Sequence, residues 1–74
     1  MDATMLRRHL KLAERHVLEG ERHVARQREI VRRLELRNPE SVTLRIARGL
    51  LEQVERAQRI QVSDRDRLRD QLGG

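Results

Sequence analysis

Leu6, Leu10, Ala13, Val17, Gly20, Val24, Gln27, Val31 and Leu34 recur at alternating steps of four and three. This is a heptad seam held for about four repeats, and it predicts one long helix. Asp2 or Thr4 is placed to cap its start. The segment "LRNPES" ends it, because Pro39 disfavours helical geometry at Asn38 and is itself tolerated in a first turn. Asn38 or Ser41 then caps a second helix, along which Ala47, Leu51, Val54, Gln58, Gln61, Leu68 and Leu72 repeat the same steps, with Arg65 standing where the seam expects an apolar residue. Arg65 weakens the later turns, and Ser63 with Asp66 three residues on is a loose variant of a capping box that marks a place for a break or a fresh start, although a continuous helix is expected. The expected bounds are a single domain over 1–74, with helix one at about 3–36, a turn at about 37–41 and helix two at about 42–70, frayed at its tail and ending before Gly73 and Gly74.

Two helices joined by a short turn fold back as an antiparallel hairpin, so the fold class is all-α and coiled-coil-like. With the fold-back centred near Pro39, residue i lies opposite roughly residue 78 − i, given equal rise on both helices. The ends of the seam then pair apolar with apolar. Its middle pairs Gly20 and Val17 with Gln58 and Gln61, a polar and underfilled waist that also takes in Gln27, His16 and His23. Helix two carries a second apolar stripe, Ile46, Leu50, Ala57 and Ile60, and helix one has Leu12, Leu18, Ala25, Ile30 and Leu36 outside its seam. One hairpin buries one seam, so this residue set predicts a homodimer closing into a four-helix bundle, or a protein partner whose helix covers the stripe.

Composition sharpens that expectation. A chain of 74 residues without cysteine or aromatic side chains has little core and no disulfide to supplement it, which leaves association or very regular packing as its sources of stability. Charged residues make up 39% of the chain with signs interspersed, as on a solvated helix. No apolar run approaches the roughly 20 residues of a membrane span, and the N-terminus lacks the apolar stretch of a signal peptide, so a cytoplasmic protein without a membrane partner is expected.

The net charge of +5 arises mostly in helix one, which to Arg37 holds ten basic and six acidic residues. With Leu10, Val17, Val24 and Val31 at heptad position a, Arg8, Arg15 and Arg22 fall at successive f positions and are joined by Arg26 and Arg33. Such an edge is able to follow a nucleic-acid backbone. Interrupting glutamates, among them Glu29 four residues before Arg33, favour the plainer reading of a solvated face. The absence of aromatic residues argues against stacking on single-stranded bases.

His9, His16 and His23 occupy three successive g positions, flanking the seam, and Ile30 takes the fourth. Seven residues of helix rise about 10.5 Å, so neighbouring histidines of one chain cannot share a metal ion whose bonds are near 2 Å. The simplest role for His16 and His23 is hydrogen bonding to Gln27, Gln58 or Gln61 beside the waist; a sharper one is a charge switch below about pH 6. Gly20, costly in mid-helix by about 1 kcal/mol, predicts close helix approach, with a notch that admits a partner's large side chain as the alternative; Gly49 permits the same two readings. Ser41 and Ser63 stand at caps and turns, and no phosphate loop, H-E-x-x-H or calcium loop is present, so no enzyme activity, metal or cofactor is expected.

The string "RRHLKLAERHVLEGERHVARQREIVRRLE" at 7–35, with "ARGLLEQVERAQ" and "DRDRL" after it, resembles a group of short uncharacterised helical proteins of rhizobia and related alphaproteobacteria. That group has the approximate motif A-E-x-H-[VI]-x-x-G-E-x-H-[VI]-x-R-Q-R. The resemblance covers most of the chain. It singles out His16, Gly20, Glu21, His23, Arg26, Gln27 and Arg28, then Leu50, Leu51, Glu55, Gln58, Arg65, Asp66 and Arg67. Gln61 stands where the group has a histidine, and Val54 where it often has an aromatic residue. The resemblance implies the helical fold and a bacterial origin, and it implies no reaction. The residues and the resemblance together point to a small non-enzymatic binding or scaffold protein acting through protein–protein association, with a nucleic-acid-backbone binder as the alternative.

Overall fold

The computed structural model describes residues 2–73, and they form two helices, α1 (Ala3–Arg37) and α2 (Val42–Gly73), packed as an antiparallel hairpin. The rod they make measures 53 × 14 × 14 Å. Asp2 caps α1, its carboxylate accepting from the Thr4 amide at 3.0 Å. The Asn38 amide closes the other end by donating to the Leu34 carbonyl at 2.8 Å. Ser41 rather than Asn38 caps α2, its hydroxyl accepting from the Leu44 amide at 3.0 Å. Both caps satisfy donors that a helix start leaves free. Pro39 lies in the turn ahead of Ser41 and takes no part in the first turn of α2.

The second helix continues through Ser63–Asp66 without a break and runs to Gly73, not to about 70. The reason is local: Leu72 continues the seam and is half-buried, so the last turn has an apolar contact to hold it. In the same way the Ser63 hydroxyl has no free helix start to cap, because the backbone donors around it are already used within α2.

Burial follows the heptads closely. Ala13, Val17, Val24, Val31, Leu44 and Ala47 are the buried apolar residues, and every other seam position from Leu6 to Leu34 and from Leu51 to Leu72 is half-buried. Leu44, three residues before Ala47, is the most enclosed at 1% exposure and clusters with Val31 and Ala47, against which Leu34 and Leu51 pack. It extends the seam of α2 one step nearer the turn than Ala47. Leu44 therefore serves twice, as the third helical residue whose amide meets the cap and as the plug of the closed end. No helix among the described residues is long and apolar enough to cross a membrane.

With so few residues fully enclosed, one truncation at the closed end should be severe. Leu44→Ala is expected to cost about 2–4 kcal/mol, as for other buried leucines, read as a lowered urea midpoint. A loss below about 1 kcal/mol would mean the closed end is not the anchor of the fold.

Candidate interaction surfaces

At the waist a side chain of one helix fills a gap in the other. Gln58 reaches across from α2 and its side-chain amide donates to the Val17 carbonyl of α1 at 2.9 Å. To do so it lies in the space that a β-carbon on residue 20 would fill, with the Gln61 carboxamide oxygen beside it at 3.0 Å from that point. Gly20 is thus a notch occupied by a side chain of the same chain. Among the described residues the oxygens of Gln58 and Gln61 are both buried without a donor, at a desolvation cost of about 1–3 kcal/mol each. The waist holds position at the expense of stability.

His16 and His23 do not complete it. Both are exposed, and among the described residues neither hydrogen-bonds to a glutamine. A g position lies at the flank of the a/d layer, so the imidazoles stand beside the glutamines and not within the seam. His23 lines a shallow groove of about 200 Å³ with Gly20, Gln53, Val54, Ala57, Gln58 and Gln61. Gln27 is half-buried in the seam. The described residues hold no group of three histidine, aspartate or glutamate side chains arranged to bind a metal ion.

Placing Leu44, Leu51, Gln58, Arg65 and Leu72 at position a of α2 exposes an asymmetry. The interhelical ion pairs, Glu14–Arg69 at 3.1 Å, Arg28–Glu55 at 2.9 Å and Glu35–Arg48 at 4.0 Å, all join e positions of α1 to e positions of α2. On the g flank, among the described residues, no ion pair crosses between the helices. There α1 presents its three histidines and Ile30, and α2 presents Leu50, Ala57 and Asp64. The adjoining c positions add Leu12 from α1 and Ile46 and Ile60 from α2.

Six of the nine exposed large hydrophobic residues, Met5, Leu12, Ile30, Ile46, Leu50 and Ile60, lie at g or c. Of the second stripe of α2, Ile46 is 60% exposed, Leu50 48% and Ile60 63%, and Ala57 is exposed as well. The stripe that the sequence isolates on helix two is therefore half of a wider surface to which α1 contributes Leu12 and Ile30. Leu18, Leu36 and Val42 are exposed elsewhere and form no such row.

The basic edge divides. Arg8, Arg15, Arg22 and Arg26 are exposed and, among the described residues, are in no ion pair, whereas Arg33 bonds Glu29 at 3.2 Å. Glu29 also holds Arg32, so the turn-proximal end of the edge is compensated and the distal part is not.

No protein-family model, no curated protein and no solved structure matches the chain. Geometry alone relates its parts: Gly20 meets Gln58 and Arg28 meets Glu55, joining helix-one positions to helix-two positions in a single register.

The two mid-helix glycines should respond differently to a methyl group. Nothing lies within 4 Å of a β-carbon at Gly49, so Gly49→Ala is expected to gain about 1 kcal/mol from helix propensity alone. Gly20→Ala expels the Gln58 amide, and forfeiting a hydrogen bond worth about 1 kcal/mol cancels the same gain. A double-mutant cycle of Gly20→Ala with Gln58→Ala in urea denaturation should return a coupling of about 1 kcal/mol; additive effects would show that the notch and the glutamine are independent.

Proposed function

We propose that this chain is a small non-enzymatic helical scaffold or binding protein that acts by helix association, first of all with a second copy of itself in a homodimeric four-helix bundle. The observation that carries this reading is the g and c flank. An isolated hairpin gains nothing by placing Ile30, Ile46, Leu50 and Ile60 in water on one side while its interhelical ion pairs line the other. The same residues, covered, supply the apolar burial that a core of valines and alanines lacks. Twofold closure is the commonest way for one sequence to cover one face with itself. The resemblance to the alphaproteobacterial group is proposed on the motif residues alone and adds no activity to this reading.

A second reading draws support from the uncompensated cations Arg8, Arg15 and Arg22, which stand at successive f positions about 10.5 Å apart along one ridge. Such a ridge is suited to phosphates of a duplex and not to stacked bases. It faces away from the seam, so it remains available whether or not the flank is covered.

Sedimentation equilibrium tests the first reading. The chain should sediment at twice its 8.8 kDa mass, and Ile46→Asp or Leu50→Asp should return it to one. A wild-type chain of single mass across a wide concentration range would remove self-association and leave the face to the helix of another protein. For the second reading, a gel-shift titration against duplex DNA at two salt concentrations should give salt-dependent retention. The Arg8→Gln, Arg15→Gln, Arg22→Gln triple variant should make the salt slope shallower by about 0.9 for each phosphate it no longer neutralises; no retention at low salt would end the reading.

A further inference from the structure

We infer that the second copy packs on the g flank turn over turn, with the twofold axis along the length of the hairpin, so that His16 of each chain meets Asp64 of the other. This rests on the self-association proposed above and specifies its geometry.

The register of the hairpin orders the flank into layers. With Gly20 on Gln58, and His23 lining one groove with Ala57, the g positions run from the turn outward as Ile30 beside Leu50, His23 beside Ala57, His16 beside Asp64, and His9 beside Gln71. The chemistry is graded along the rod. An apolar layer comes first, then a large side chain with a small one, then an imidazole with a carboxylate, then a polar pair.

A face graded in this way matches itself in one direction only. Laid turn over turn, each layer meets its own kind: Ile30 and Leu50 close an apolar quartet with the partner's Leu50 and the partner's Ile30, and each His23 gains the space above the partner's Ala57. At the third layer His16 is exposed and, among the described residues, has no hydrogen-bond partner, while Asp64 is half-buried and engages Arg67 through one oxygen, Oδ1, at 3.2 Å. Its Oδ2 is left to accept from the imidazole of the partner's His16. Laid turn over open end, the first layer would meet the fourth and the second the third, pressing Ile30 onto the partner's His9 and Leu50 onto the partner's Gln71 and burying the Asp64 carboxylate against the partner's Ala57, which is unfavourable. The ion-paired e flank faces solvent in either case and does not choose between them.

The chain has no cysteine, so Glu40→Cys in the exposed turn gives a single site for a nitroxide label. Pulsed dipolar EPR on the labelled protein, with its mass measured by sedimentation in the same buffer, is expected to give a dimer with a label separation of about 15–30 Å, set by helix spacings of about 10 Å. A dimer with its labels separated by roughly the 53 Å length of the rod would overturn the orientation and leave self-association standing. A monomer would overturn the self-association itself. As a check on the third layer, His16→Glu should weaken the dimer about tenfold by setting like charges together, while His9→Glu, beside Gln71, should change it less than about threefold. Equal effects of the two would overturn the pairing with Asp64.

Discussion

The Gln58 amide seated over Gly20 and hydrogen-bonded to the Val17 carbonyl is the contact on which the rest of the molecule depends. Apolar seams of valine, leucine and alanine are tolerant of sliding, because one aliphatic layer resembles the next. A glutamine that fits only where its neighbour lacks a β-carbon is not tolerant. It sets α2 against α1 at one longitudinal position, and the ion pairs Glu14–Arg69, Arg28–Glu55 and Glu35–Arg48 all occur in that register. The buried oxygens of Gln58 and Gln61, without a donor among the described residues, are what this specificity costs, in the manner of a polar residue at a coiled-coil core position.

Once the register is set, the two flanks acquire different natures from the residues that fall on them. The e flank becomes a row of exposed ion pairs, each worth little in water, a few tenths to about 1 kcal/mol, but together keeping that side solvated. The g flank becomes imidazole and aliphatic, and the exposed apolar residues collect on it. A 74-residue chain whose enclosed residues are one leucine, three valines and two alanines has a meagre core by itself, so the flank with the greater apolar content is also the one on which further burial has most effect.

Most of the fold is legible in the sequence because heptad periodicity, a proline in the turn and hydroxyl or carboxylate caps are local signals. What escapes is of other kinds. Leu44 obeys the same three–four steps as the rest of α2, and one step back from Ala47 finds it; its nearness to the turn conceals it. The Gln58 bond ends on a backbone carbonyl, which no side-chain pattern announces, although the glycine opposite a glutamine does mark the place. Charge spacing along helix one finds Glu29–Arg33 and not Arg28–Glu55, since the latter needs the register before the partners can be named. The g spacing already gives His16 and His23 their angular position on the flank, but it does not say that both stay exposed and that, among the described residues, neither hydrogen-bonds to the glutamines beside them.

That angular position changes what the histidines mean. In a seam they would be buried polar groups requiring partners within the hairpin; on a flank they are the lateral face of each layer, and their partners need not belong to the same hairpin. The heptad spacing that prevents two of them from sharing one ion also deals them one to a layer, each opposite a different residue of α2: a small one at Ala57, an acidic one at Asp64, an amide at Gln71. A uniform stripe of leucine would cover more apolar area, yet it would bind a copy in either direction and at several offsets. Alternating imidazole against three different neighbours gives up some of that affinity and makes direction readable along the rod. This is the same exchange that Gln58 makes inside the seam.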